Sequence, residues 1–160
     1  MTTTHTSTDL LGIVQVTIPV SDLARSAAWY RNLLDLDYVR EFVNDGLVTG
    51  CALADWEARY LVALRLRSTT AAPADLRGEH PVVLEAASPE AAERLRARAA
   101  EHGIRCTSGV HRDGSWQEFL DPDGIAVRVV HSAAGPRGFL GVEFRPDAEP
   151  DFYEAPRLTL

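Results

Sequence analysis

Long apolar runs are missing from this 160-residue chain, and so is any excess of basic charge. No stretch reaches the roughly 18 consecutive apolar residues that a membrane-spanning helix needs, so no membrane partner is expected. Sixteen Lys and Arg stand against 23 Asp and Glu, a formal net charge of −7. Nucleic acid is held through phosphate contacts from a basic face, so this charge argues against that partner too. Cysteine is scarce. Cys51 and Cys106 are far apart and read as ordinary thiols of a reducing compartment, not as a disulfide framework. The opening MTTTHTSTD has neither the basic start nor the apolar stretch of a secretion signal. Residues 1–11 are therefore read as a flexible leader, and a cytoplasmic location is expected. A Gly-rich phosphate loop, a CxxC pair and a nucleophile motif are absent as well.

What is present is a repeat. Apolar content of 46% suffices for one domain with a real core. Val14, Val16, Ile18 and Val20 alternate with Gln15, Thr17 and Pro19, the period of a strand with one buried face. Ser21 is expected to cap a helix, with Asp22 in its first turn and Leu23, Ala27, Tyr30 and Leu34 as its apolar stripe. YVREFV, LVTGCALA and RYLVALRLR read as three further strands. The same order then recurs. PVVLEAA is a strand, Ser88 a helix cap, Pro89 the first helical residue and Gly103 the stop. GIRCTSGV, SWQEFLD and IAVRVVH are strands, with DPDG as a hairpin turn. The chain thus divides into a leader (1–11), a first βαβββ module (12–67), a linker (68–80), a second module (81–132) and a C-terminal extension (133–160). The two modules are offset by about 66 residues. The fold class is α+β, with a curved mixed sheet forming a cup and the helices outside it. The extension carries Phe139, Leu140, Phe144, Phe152, Tyr153 and Leu158, too apolar for a purely disordered tail. It is expected to pack on its own subunit or on a second one.

VTIPVSDLARSAAWYRNLLDLDY and FLDPDGIAVRVV resemble the vicinal oxygen chelate superfamily, which includes glyoxalase I, extradiol dioxygenases and bleomycin resistance proteins. The resemblance covers roughly residues 12–132. It departs at Asp35, where the family often has glycine, but Asp tolerates that backbone region. The resemblance implies metal ligands at four cup-facing strand positions. Here those positions hold Gln15, Pro81, Arg128 and either Ala63 or Arg65. Proline has no ligating side chain, and a guanidinium stays protonated. One amide oxygen beside a fixed cation does not make a metal site, so no metal and no other cofactor is expected. His80 lies one residue from an expected ligand position, and a slip of one points it away. Glu85 shares the parity of Pro81 and reads as a solvated strand-end acid. His5, His102, His111 and His131 read as ordinary histidines.

Two residue classes then suggest binding. Arg128, alone or with an inward Arg65, could form an anion site. The competing reading is an ion pair to Glu118 or Glu85. Trp56 and Trp116 offer flat stacking surfaces, against the default of core packing. Gln15, Thr17 and Gln117 add neutral hydrogen-bonding groups. Together Gln15, Thr17, Arg128, Trp56, Trp116, Arg65 and Gln117 are the candidate ligand-binding residues, and no catalytic residue is assigned. The leading expectation is a metal-independent small-molecule binding protein, a homodimer that sequesters an antibiotic or aromatic metabolite. The alternatives are a metal-independent isomerase, cyclase or lyase using Arg128 on an oxyanion, and, least favoured, a metalloenzyme with ligands relocated to residues such as His80 and Glu85.

Overall fold

A computed structural model describes residues 13–72, 74–111, 114–133, 141–143, 146, 148–149, 151–155 and 157. Alternation of apolar residues produces the first strand, β1 (Gln15–Val20), in which Ile18 and Val20 are fully buried. The helix α1 (Leu23–Leu34) follows. Its cap is Asp22, not Ser21: the Asp22 carboxylate accepts the Arg25 N–H at 3.0 Å, and a carboxylate there also meets the positive helix end. Ser21 is held by a different bond, described below. The helix ends at Asp35 in the left-handed conformation, φ 57°, with its N–H on the Arg31 carbonyl. This is the backbone region that Asp was expected to tolerate at a glycine position.

Strands β2 (Asp37–Asn44), β3 (Leu47–Asp55) and β4 (Tyr60–Leu66) complete the first module. β1 pairs parallel with β4, and the sheet order is β1-β4-β3-β2. A short 3₁₀ turn (Arg67–Thr69) begins the connection to β5 (Val82–Glu85). Helix α2 (Pro89–Glu101) has Ser88 as its cap and Pro at its start, as the sequence predicts. β6 (Cys106–His111), β7 (Gly114–Leu120) and β8 (Ala126–Ser132) follow, in the order β5-β8-β7-β6. The two caps, Asp22 and Ser88, stand 66 residues apart, and the two sheets have the same topology. In the C-terminal extension, β9 (Gly141–Glu143) pairs antiparallel with β10 (Asp151–Tyr153). Arg157 ties this hairpin by an ion pair to Glu143 and by stacking over Tyr153.

Both helices pack against one face of the sheets. A single apolar cluster joins Tyr30, Leu33 and Leu34 of α1 and Ala99 of α2 to Leu53, Leu64, Phe119, Val127 and Val129 of the strands. The modules are also joined by polar contacts. The Tyr30 hydroxyl, on a fully buried ring, donates to Asp121 Oδ2 at 3.0 Å. Asp121 Oδ1 accepts the N–H groups of Asp123 and Ile125, which shapes the DPDG turn. Asp123 in turn accepts the Ser21 N–H at 3.0 Å. The turn of the second module therefore grips the start and middle of the first module's helix.

Burial shifts the Asp121 carboxyl upward, partly offset by the N–H groups of Ile125 and Asp123 and by the Tyr30 hydroxyl. Tyr30→Phe keeps the ring and removes only that donor. It should lower the unfolding free energy by about 1.5–3 kcal/mol, the range for a hydrogen bond to a charged group. The check is the urea midpoint at unchanged slope. Because the folded carboxyl holds its proton to higher pH than the unfolded one, the stabilisation from that proton is complete below the ordinary carboxylate range of about 4. It is lost as pH rises through the raised folded value. Asp121→Asn should abolish this part of the stability–pH curve, and an unchanged curve would assign it to another group.

Candidate functional site

Strand pairing decides which residues share a face, because paired residues point the same way and neighbours along a strand point oppositely. Ile18, Cys51, Leu53, Val62, Leu64, Val127, Val129 and Phe119 belong to the core against the helices. The opposite face is the inside of the cup. On the first sheet it carries Gln15, Thr17 and Pro19, paired with Leu61, Ala63 and Arg65, and then Ala54, Ala52 and Gly50 of β3. On the second sheet it carries Val83, paired with Arg128, then Glu118 of β7 and Thr107 of β6. One step along, Val130, Trp116 and Gly109 form the next row.

This register settles the open choice between Ala63 and Arg65. Thr17 pairs with Ala63, and Val83, 66 residues after Thr17, pairs with Arg128. Ala63 is therefore the counterpart of Arg128, while Arg65 lies one cup-facing step further along β4. The four expected ligand positions hold Gln15, Ala63, Pro81 and Arg128. Gln15 is exposed, and its amide nitrogen donates to Thr17 Oγ1 at 3.1 Å. Ala63 and Pro81 offer no donor atom. These residues do not fit a metal ion. Among the described residues, no three His, Cys, Asp or Glu side chains converge as a metal site elsewhere.

Arg128 is tightly engaged. Its Nε and Nη2 both donate to Glu118 Oε2, at 3.0 and 2.7 Å, and both side chains are partly buried. Glu118 sits directly across from Arg128 on β7, so the pairing follows from register. The Arg128 guanidinium also lies 5.3 Å from the Trp116 ring centre. Trp116 in turn lies across β6 at Gly109, where an added Cβ would come within 2.8 Å of three indole atoms. The competing reading of an ion pair thus describes Arg128, with Glu118 as the partner, and its positive charge is already matched.

Arg65 forms a second stack, 4.6 Å from the Phe42 ring centre. Both side chains cross Gly50, where a Cβ would be 2.7 Å from Arg65 Cδ and 3.0 Å from Phe42 Cδ2. Each sheet thus seats one aromatic ring against a glycine of the neighbouring strand. The placement is exchanged between modules, since Gly50 and Trp116 are equivalent under the 66-residue offset. The floor between is small: Ala52 and Ala63, though facing the cup, are 0% and 1% exposed.

The remaining candidates lie elsewhere. Gln117 shares the helix-side face with Phe119 and is 5% exposed, because its odd offset from Trp116 turns it away from the cup. Among the described residues, its buried Oε1 has no hydrogen-bond partner. Trp56 is exposed in the β3–β4 turn and lines an open groove of about 520 Å³ with Ile13, Val14, Tyr60 and Leu61. It stands near the Gln15 end of β1, since Gln15 pairs with Leu61. His131 faces the helix side with its Nδ1 against the Ala86 carbonyl. Phe42, Gly50 and Gly109 were missed in the sequence. The small–small–small alternation of Gly50, Ala52 and Ala54 was the signal available.

The architecture is shared with known proteins. The family model of the Glyoxalase/Bleomycin resistance protein/Dioxygenase superfamily matches residues 12–129. A search of curated proteins found no match. Similar solved structures include a glyoxylase/bleomycin resistance protein/dioxygenase domain from Frankia sp. EAN1pec, 22% identical, with a TM-score of 0.65 over 79% of this chain and 95% of that one. They also include TnmS3, an antibiotic binding protein from Streptomyces sp. CB03234, 20% identical, with a TM-score of 0.62 over 79% and 100%. A lactoylglutathione lyase from Agrobacterium tumefaciens is 16% identical, with a TM-score of 0.62 over 78% and 96%. At these identities the likeness is one of fold.

Gly109→Ala should push the indole off β6 and break its stack with Arg128. The expected cost is about 1–3 kcal/mol, as for overpacking a filled site. A shift of the Trp116 indole N–H resonance would report the displaced ring, and an unmoved resonance with unchanged stability would refute the seating.

Proposed function

The chain belongs to the glyoxalase/bleomycin resistance protein/dioxygenase superfamily, and on that premise we propose that it is a metal-independent binding protein for a small planar molecule held on the cup face. One observation carries the reading. Arg128 occupies an expected metal-ligand position, and its guanidinium is fixed between the Glu118 carboxylate and the Trp116 ring. A protonated guanidinium there supplies no lone pair to a metal ion. The same group, neutralised by Glu118 and backed by an indole, is a flat surface of low net charge on which a planar ligand can stack. Gln15 and Thr17 supply neutral donors and acceptors from β1, and Trp56 stands at the rim of that end.

Sequestration of an antibiotic or another aromatic metabolite fits this surface. The antibiotic-binding activity named for the Streptomyces neighbour, on the same fold, supports it. We place the protein in the cytoplasm as a homodimer. Free Cys51 and Cys106 support the first. Exposed Val43, Leu47 and Val48 at the β2–β3 hairpin offer apolar surface for the second.

Two measurements test the reading. Protein purified without chelator should contain no stoichiometric metal, and Zn²⁺, Ni²⁺, Mn²⁺ or Fe²⁺ should leave its melting temperature unchanged. Bound metal at one equivalent would overturn it. With 2-naphthamide as a neutral planar probe, Trp116→Ala should weaken binding about tenfold, or 1.4 kcal/mol, by titration calorimetry. Equal binding by this variant would remove Trp116 from the site.

A further inference from the structure

The two guanidinium stacks on the cup face look alike but differ in charge. Arg128 has its carboxylate, Glu118, directly opposite on β7. Arg65 has Pro19 opposite on β1 and Gly50 opposite on β3, and neither carries a charge. Phe42, the next residue across, supplies only its ring. Among the described residues, the Arg65 guanidinium has no hydrogen bond and no ion pair. Yet it is half-buried and held in one place, with its stem folded over a glycine that leaves room for it. Fixing an arginine costs side-chain entropy, and an exposed cation–ring contact returns only about 0.5–1 kcal/mol. The donors at the guanidinium edge stay unused, in a chain whose net charge is −7. A stacked guanidinium with a free edge is arranged for a planar oxyanion.

Resting on the proposed binding function, we infer that Arg65 is the residue that selects the charge of the ligand, and that the ligand is a planar aromatic compound bearing a carboxylate or an acidic enol or phenol oxygen. The oxyanion meets the free edge of Arg65, and the ring lies beside the Arg65–Phe42 stack. Arg128 contributes surface and not charge. Its pairing with Glu118 leaves Arg65 as the stacked, half-buried cation that decides between an anion and its neutral isostere; Arg40, opposite Ala52 on the same face, is exposed to solvent, which screens its charge.

The test uses matched probes, 2-naphthoate against 2-naphthamide and benzoate against benzamide, titrated calorimetrically at low salt into the full chain. The unmodified protein should bind each carboxylate at least about tenfold more tightly than its amide, as expected of a charge-assisted pair. Arg65→Met keeps the stem. It should bring the two members of each pair to within about twofold while leaving the amide's affinity in place. Arg65→Lys restores the charge without the planar fork and should recover part of the preference, which separates recognition from folding. A carboxylate preference that survives in Arg65→Met overturns the inference. Equal binding of acid and amide by the unmodified protein also overturns it while the binding function stands. If neither member of either pair binds at millimolar concentration, the inference and the function proposed above fail together.

Discussion

The hydrogen bond from Tyr30 to Asp121 is the constraint on which the rest of the structure depends. It runs between residues 91 positions apart, from a helix of one module to a turn of the other. A lone buried carboxylate would be very costly to desolvate, and a lone buried hydroxyl would cost less but still measurably. Each exists in the core because the other meets it. Asp121 also spends its second oxygen on two backbone N–H groups, so the same carboxylate shapes the β7–β8 turn and docks it on α1. Apolar burial alone would hold helices against strands with little preference for angle. This directional contact sets how the two halves meet, and with it which strand positions face one another across the cup.

Inside the cup the two modules have diverged while keeping one rule. Each stacks an arginine on an aromatic ring and clears space for that ring with a glycine on an adjoining strand. The glycine and the ring have changed places between the copies. In the first module the ring comes from the edge strand β2, and in the second from the inner strand β7. The result is a cup with internal asymmetry: one stack is balanced by its own carboxylate, the other is not. An asymmetric interior can orient a ligand that has two different ends, which a strictly repeated one could not.

Much of this was legible in the sequence, for reasons that can be named. The alternation from Val14 to Val20 and the capped helix starting after Ser88 have strong local signatures, so the repeat and its topology could be read directly. Both Ser21 and Asp22 are good caps by residue type; Asp22 takes the role, while the Ser21 N–H is held by Asp123, a hundred residues away. Gln117 was read as a binding group because its chemistry suited one, but alternation along β7 sends it to the helix side. The Arg128–Glu118 pair follows from the hairpin register, which sets the two residues directly opposite each other. Phe42 escaped notice because its role depends on Gly50 and Arg65, residues that meet only once three strands have been aligned.

The parallel pairing of β1 with β4 has a consequence for how the chain is made. β1 emerges first, but its partner is the last strand of its own module, so the first sheet cannot be completed until about residue 66 is available. Even then Tyr30 waits for Asp121, which is synthesised much later. A half-made chain therefore holds a finished sheet above a helix with an unanswered hydroxyl. The first half can pair its own strands, but the buried hydroxyl of its helix is answered only by the second.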